Sequence, residues 1–183
     1  TISGIDGVRG TSKDDIVISN MHSTNFQGLA GNDTFHGAGI SRMDYSQDTN
    51  YFNENGQRGD QGIHVDFHTG LVIDGFGDTD TLINVSRIKA TKYDDILQVN
   101  IDTLAVETGD GNDIIAFSTT FFGMKIMDFT QGKDKIDLIA TNLQFSDLNI
   151  VSPPGDESYV DLGTGLITLA GITSVNADDF IIA

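Results

Sequence analysis

The aspartates of this chain recur at a fixed spacing. Asp15 and Asp33 stand 18 residues apart, and so do Asp95 and Asp113. A shift of 80 residues lays Thr11-Ser12-Lys13-Asp14-Asp15-Ile16 on Thr91-Lys92-Tyr93-Asp94-Asp95-Ile96, and Gly31-Asn32-Asp33 on Gly111-Asn112-Asp113. The matches fall on turn residues and on the apolar residues that follow them. Such a period suits a coiled chain. A unit of about nine residues joins a turn ending in Asp to a short strand whose middle residue points inward. Two units close one circuit, and circuits stack as parallel strands about 4.8 Å apart. Each Asp then lies over the Asp of the next circuit. Two carboxylates held that close repel unless a cation sits between them.

Composition agrees with that reading. Of the 27 acidic residues 24 are Asp, which favours turns, while Glu, the helix-surface acid, is nearly missing. Ile outnumbers Leu, and Gly is frequent at 21 residues, so short strands and tight turns are expected and almost no helix. The net charge of −17 excludes nucleic acid and anionic membrane as partners and favours a cation. There is no cysteine, hence no disulfide framework and no thiolate metal site. No apolar run is long enough for a membrane-spanning helix. With 183 residues, 38% of them hydrophobic, the chain can bury one core. The start at Thr1-Ile2-Ser3-Gly4 shows no classical secretory signal, and a start without Met suggests a chain processed or cut from a longer one.

Between the two repeat regions, residues 43–89 read as strands, Ile63 to Phe67 and Leu71 to Ile73, separated by polar loops. The stretch from Ser46 to Gln61 is expected to protrude. A third turn of the same kind is Gly75-Phe76-Gly77-Asp78-Thr79-Asp80, followed by Leu82-Ile83. After Phe117 the pattern changes. Lys125 to Phe129 and Asp134 to Leu138 flank a turn at Gly132. Pro153-Pro154-Gly155-Asp156 is a turn, and Tyr159 to Leu162 with Leu166 to Leu169 reads as a hairpin.

These turns resemble the RTX, or haemolysin-type, calcium-binding repeat, Gly-Gly-x-Gly-x-Asp-x-apolar-x. The nearest copies are Gly28-Leu29-Ala30-Gly31-Asn32-Asp33-Thr34-Phe35 and Thr108-Gly109-Asp110-Gly111-Asn112-Asp113-Ile114-Ile115. The likeness extends over most of the chain, the loop around 46–61 excepted. Asp74 to Asp95 looks like segments that link such repeats. Ile126 to Leu138 and Tyr159 to Phe180 look like the region after the β-roll in secreted metalloproteases. The resemblance implies Asp33 and Asp113 as side-chain calcium ligands, with the carbonyls of Gly28, Ala30, Thr108 and Asp110 as backbone ligands. Asp15 and Asp95 then stack one circuit away as partners, and Asp78 and Asp80 join from the third turn. Asp14, Asp94 and Asp134 read as solvated turn residues.

The chain also departs from the repeat. Leu29 replaces the second Gly of its turn and Thr108 the first of its own. Lys13 and Tyr93 stand where Gly is usual, and a left-handed backbone there costs a non-Gly residue about 1 kcal/mol or more. Arg42 occupies the place of the next Asp, where it could serve as an internal cation. Few ions are therefore expected, about two to five by oxygen count.

Other motifs are quiet. His64 and His68 have a helical metal spacing, but the alternation with Ile63, Val65 and Phe67 reads as a strand with outward histidines. No zinc-protease, nucleophile-elbow or phosphate-loop motif is present. Arg87, Lys89 and Lys92 form a basic cluster, read as a neutralising patch or as a contact for an acidic polysaccharide or other anionic partner. The end, Asp178-Asp179-Phe180-Ile181-Ile182-Ala183, resembles that of type I-secreted proteins and also suits a last edge strand.

The sequence thus predicts an all-β fold, a parallel β-roll or short β-helix over 1–141 with an antiparallel β cap over 142–183. The expected function is a non-catalytic calcium-binding module of an extracellular bacterial protein, folding on calcium after secretion. An accessory module of a polysaccharide-active or other secreted enzyme, or a surface-layer or adhesin module, is the alternative.

Overall fold

The computed structural model describes residues 6–20, 23–118, 123–154 and 157–182. The chain start at Thr1 to Gly4, the Gly155-Asp156 half of the proline turn and Ala183 lie outside them. Among the described residues helix is confined to four short 3-10 turns, and sixteen strands form one continuous sheet. Among the described residues no helix is long and apolar enough to cross a membrane.

The sheet coils into two walls. One wall carries β2 (Ile16–Ile18), the first part of β4 (Thr34–Asp44), the first part of β7 (Thr79–Lys89), β8 (Ile96–Val99), β10 (Ile114–Phe117), β12 (Lys135–Asp137) and β16 (Phe180–Ile181). The other carries β1 (Gly7–Arg9), β3 (Asn25–Gln27), the later parts of β4 and β7, then β9 (Ala105–Glu107) and β11 (Gly123–Ile126). All these pairings are parallel. β4 and β7 serve both walls because their register breaks between His36 and Ser41, near the left-handed Gly39 and Asn84.

Every strand alternates, and its inward residue builds the core. Val8, Phe26, Met43, Ile88, Val106, Ile126 and Leu169 line up across the second wall. Val17, Phe35 and Leu82 face them from the first, continued by Val65, Leu97, Ile115, Ile136 and Phe180. Phe26 and Phe35 are fully buried, their ring centroids 5.1 Å apart. In each acidic turn the core residue stands two places after the Asp: Asp33 precedes Phe35, Asp95 precedes Leu97 and Asp113 precedes Ile115.

The strands expected over Ile63 to Phe67 and Leu71 to Ile73 form, but their pairing departs from the periodic pattern. β5 (His64–Asp66) and β6 (Leu71–Ile73) form an antiparallel hairpin inserted into the first wall between β7 and β8. Val65 faces the core and His64 faces out, as the alternation predicts. The loop over 46–61 also differs from expectation. Its tip is exposed, but its foot turns inward, with Asp48, Thr49 and Gly59 buried. The cap forms as predicted: β13 (Asn149–Val151), β14 (Ser158–Asp161) and β15 (Leu166–Leu169) are antiparallel neighbours, and β15 joins β11. The acidic, apolar end becomes β16, an edge strand beside β12.

Candidate metal centre

The acidic turns all lie along one edge of the roll, each leading into the first wall. In the first stack the Asp15 N–H donates to Asp33 Oδ1 at 2.8 Å, and the Asp33 N–H donates to Asp80 Oδ1 at 2.8 Å. In the second, Ile63 donates to Asp95 Oδ1 at 2.6 Å, Asp95 to Asp113 Oδ1 at 2.9 Å, and Asp113 to Asp134 Oδ1 at 3.2 Å. The aspartates therefore stack coil over coil, as the spacing predicts. Their contact is different from the expected one. One oxygen of Asp33, Asp80, Asp95, Asp113 and Asp134 takes a main-chain N–H of the strand or coil before it, so the stack begins with attraction rather than with two facing anions.

The second oxygen separates two kinds of turn. Where a threonine stands four residues before the Asp, its N–H closes the turn: Thr11 on Asp15 Oδ2 at 2.6 Å, Thr91 on Asp95 Oδ2 at 3.0 Å and Thr130 on Asp134 Oδ2 at 2.6 Å. The glycine-rich turns lack this closure. Leu29 and Gly109 hold that place in left-handed backbone, at φ 73° and 93°, and Gly109 gives its N–H to Asp128 instead. Asp33 Oδ2 and Asp113 Oδ2 are left buried and without a hydrogen-bond partner. A Cβ built on Gly28 would fall on Asp33 Oδ2, so only glycine leaves room for it.

Burial is the main force on these groups. It lifts Asp33 to about 7 and Asp113 to about 8, and neighbouring carboxylates add to the rise. Asp80 is lifted to about 8 and Asp95 to about 6, again by burial first, and Asp134 also rises. All four ion pairs among the described residues use glutamate: Lys13–Glu54, Arg42–Glu107, Lys89–Glu107 and Lys125–Glu157. Among the described residues no basic side chain forms an ion pair with the stacked aspartates.

Lys13 and Tyr93 are not left-handed, because the Thr–Asp closure builds their turns without glycine; the strained position is Leu29. Arg42 is no internal cation. It lies on the outer face, donating to Asn25 at 2.9 Å and Glu107 at 2.8 Å. Asp134 is not solvated but fully buried at the end of the second stack. Asp14 and Asp94 do stay near solvent, each accepting the N–H of an asparagine one coil on, at 2.8 Å.

The predicted ligands fall into place unevenly. Asp33, Asp80 and Asp113 are buried in the stacks, and Asp78 joins the first through the Gly31 N–H at 2.8 Å. Asp15 and Asp95 are in line; both oxygens of Asp95 are engaged, and Oδ2 of Asp15 is held by Thr11. Asp110 is exposed. The Gly28 carbonyl faces Gly10 of the preceding coil. Thr108 is buried, and its hydroxyl donates to Asp128 Oδ1 at 3.2 Å. Among the described residues no three acidic or histidine side chains gather closely enough to hold a metal ion by themselves. A cation at the glycine-rich turns would have to combine a carboxylate oxygen with carbonyls, the donor set of a hard ion such as calcium.

Among the buried acids outside the predicted ligands are Asp48 and Asp74. Both lie outside any repeat, yet they are 1% and 0% exposed. Tyr45 donates its phenol to Asp80 Oδ2 at 2.9 Å and is also fully buried. No spacing marked these residues, because the hairpin insertion sets their positions.

The sequence matches no protein-family model and no curated protein. Solved structures do align. An extracellular lipase, LipA of Serratia marcescens, is 14% identical over the whole chain, with a TM-score of 0.31; the chain spans 40% of its length. The AlgE6R3 subunit of the Azotobacter vinelandii mannuronan C5-epimerase is 21% identical over the whole chain, with a TM-score of 0.33 and 87% of that subunit covered.

Proposed function

We propose that this chain is a non-catalytic, calcium-binding β-roll module of an extracellular bacterial protein, ordered by calcium after export. The observation that carries the reading is the pair of buried, unclaimed oxygens, Asp33 Oδ2 and Asp113 Oδ2, each on a glycine-rich turn at the acidic edge. Asp33 and Asp113 would be the charged ligands, with carbonyls of the glycine-rich turns beside them. Calcium, when bound, supplies the positive charge that no lysine or arginine brings to this edge. The hydrogen-bonded stacks hold the carboxylates in register, and the glycines keep the approach to them open. Where calcium is scarce, unmatched buried charge opposes closure of the coils and leaves the chain loose enough for export. At extracellular calcium, sites of about 10⁻⁴–10⁻³ M would fill. Calcium titration by calorimetry, with circular dichroism in chelator, tests this reading. Loss of β signal on calcium removal, and loss of ions in Asp33→Ala and Asp113→Ala, are expected. A spectrum unchanged in chelator, with no calcium heat, rejects it.

A second reading, the accessory module of a polysaccharide-active enzyme, has its own support. Arg42, Arg87 and Lys125 share a row across the second wall beside a groove of about 320 Å³, and Arg87 Nε is buried there without a partner. Binding of an acidic polysaccharide that weakens in Arg87→Ala would favour it; no binding at low salt would exclude it.

A further inference from the structure

We infer that the inserted segment carries a cation site of its own, separate from the glycine-rich turns, with Asp48 and Asp74 as its two charged ligands and a divalent cation such as calcium as its occupant.

Asp48 and Asp74 are 1% and 0% exposed. On each carboxylate one oxygen is fixed and the other is unclaimed. Asp48 Oδ2 accepts the Gly75 N–H at 3.2 Å, which sets this carboxylate against the peptide that follows Asp74. Asp74 Oδ1 accepts Phe76 N–H at 2.9 Å and Asp78 N–H at 2.7 Å. Asp48 Oδ1 and Asp74 Oδ2 are buried with no hydrogen bond. Gly59 and Gly75 pack on Asp48 so closely that a Cβ on either would come within 2.9–3.0 Å of its side chain.

The surroundings supply no counter-charge. Asp74 is the charge that acts most strongly on Asp48, followed by Asp80 and Asp44, all negative. Arg58 gives Nη1 to the Thr49 carbonyl at 3.3 Å and lies over the Phe52 ring. Asp80 is already engaged by Tyr45 and Asp33. Two unmatched carboxylates are balanced by one divalent ion, and backbone oxygens of the loop foot would complete its shell. Such an ion would pin the foot of the 46–61 loop to the turn that follows β6.

The test uses the full chain. Calcium stoichiometry is measured by calorimetry for the wild type, Asp48→Asn, Asp74→Asn and the double variant. Terbium luminescence sensitised by tyrosine is read in parallel. The chain has no tryptophan and four tyrosines. Loss of about one ion per chain in the double variant is expected, with a terbium signal that falls alike in the double variant and in Tyr45→Phe. A double variant that binds as many ions as the wild type overturns the inference. So does one whose calcium-loaded melting temperature equals or exceeds the wild type's, since the two acids would then share a proton instead. If the double variant does not fold, either single variant is judged by the same count. Asp113→Asn separates the two readings. Ions lost there but not at Asp48 and Asp74 would leave the turn sites standing and remove this one.

Discussion

The Asp113 carboxylate accepts the backbone N–H of Asp95, 18 residues and one coil away, at 2.9 Å. It therefore has two separable roles, acceptor for a buried amide and carrier of a buried charge. Asp113→Asn keeps the acceptor and removes the charge. In chelator this variant is expected to be more stable than the wild type, and in calcium less stable. Asp113→Ala loses both roles and leaves the Asp95 N–H unsatisfied, a cost of about 1–3 kcal/mol in either condition. Chemical denaturation of the three proteins with and without calcium reads the pattern directly. Equal behaviour of the two variants in chelator would contradict it.

The acidic edge also sets a pH dependence. Asp33 and Asp74 rise to about 7, Asp80 and Asp113 to about 8 and Asp48 to about 9, each mainly through burial. Folded carboxylates of this kind bind protons that the unfolded chain has already released. Stability without calcium is thus present in full below about pH 4 as far as these groups are concerned, and it is lost as pH climbs through the raised values. Melting temperatures in chelator should fall from about pH 5 to about pH 8. A flat or rising profile over that window would sink the account.

Gly28→Ala places a methyl on Asp33 Oδ2. Overpacking of a closed site costs about 1–3 kcal/mol. Calcium affinity at the first stack should fall with it, while the second stack, where Thr108 already carries a side chain, is untouched. Calorimetry on the variant checks this. Unaltered affinity and stability would show that the turn opens without cost.

Phe35→Ala removes a fully buried ring that packs on Phe26. A loss of about 3–5 kcal/mol is expected, and the first coils should unfold at lower denaturant than the cap. Hydrogen exchange resolved along the chain would show whether the weakening stays at that end.

The periodic parts of this architecture were legible in the sequence. Asp33 and Asp113, the inward Phe35 and Ile115 and the antiparallel cap follow from spacing and alternation, because each coil repeats the same local problem. The type of turn was not legible. Thr11 and Thr91 stand out in the sequence only as matching turn residues, yet their N–H groups decide which carboxylates are closed. The strain was sought at Lys13 and Tyr93 and lies at Leu29, since a side-chain lock can replace a left-handed glycine. Asp48 and Asp74 were invisible for a further reason: a hairpin insertion brings them together, and no local pattern encodes a contact between residues 26 positions apart.

The hairpin of β5 and β6 has a last consequence. It stands between Asp80 and Asp95 in the first wall, and Ile63 rather than another aspartate begins the second stack. No amide-to-carboxylate link runs from one stack into the other among the described residues. If a cation fills the turns as proposed, neutralising one stack is expected to leave the other unprimed, so that the roll closes as two latches in series, each with its own threshold.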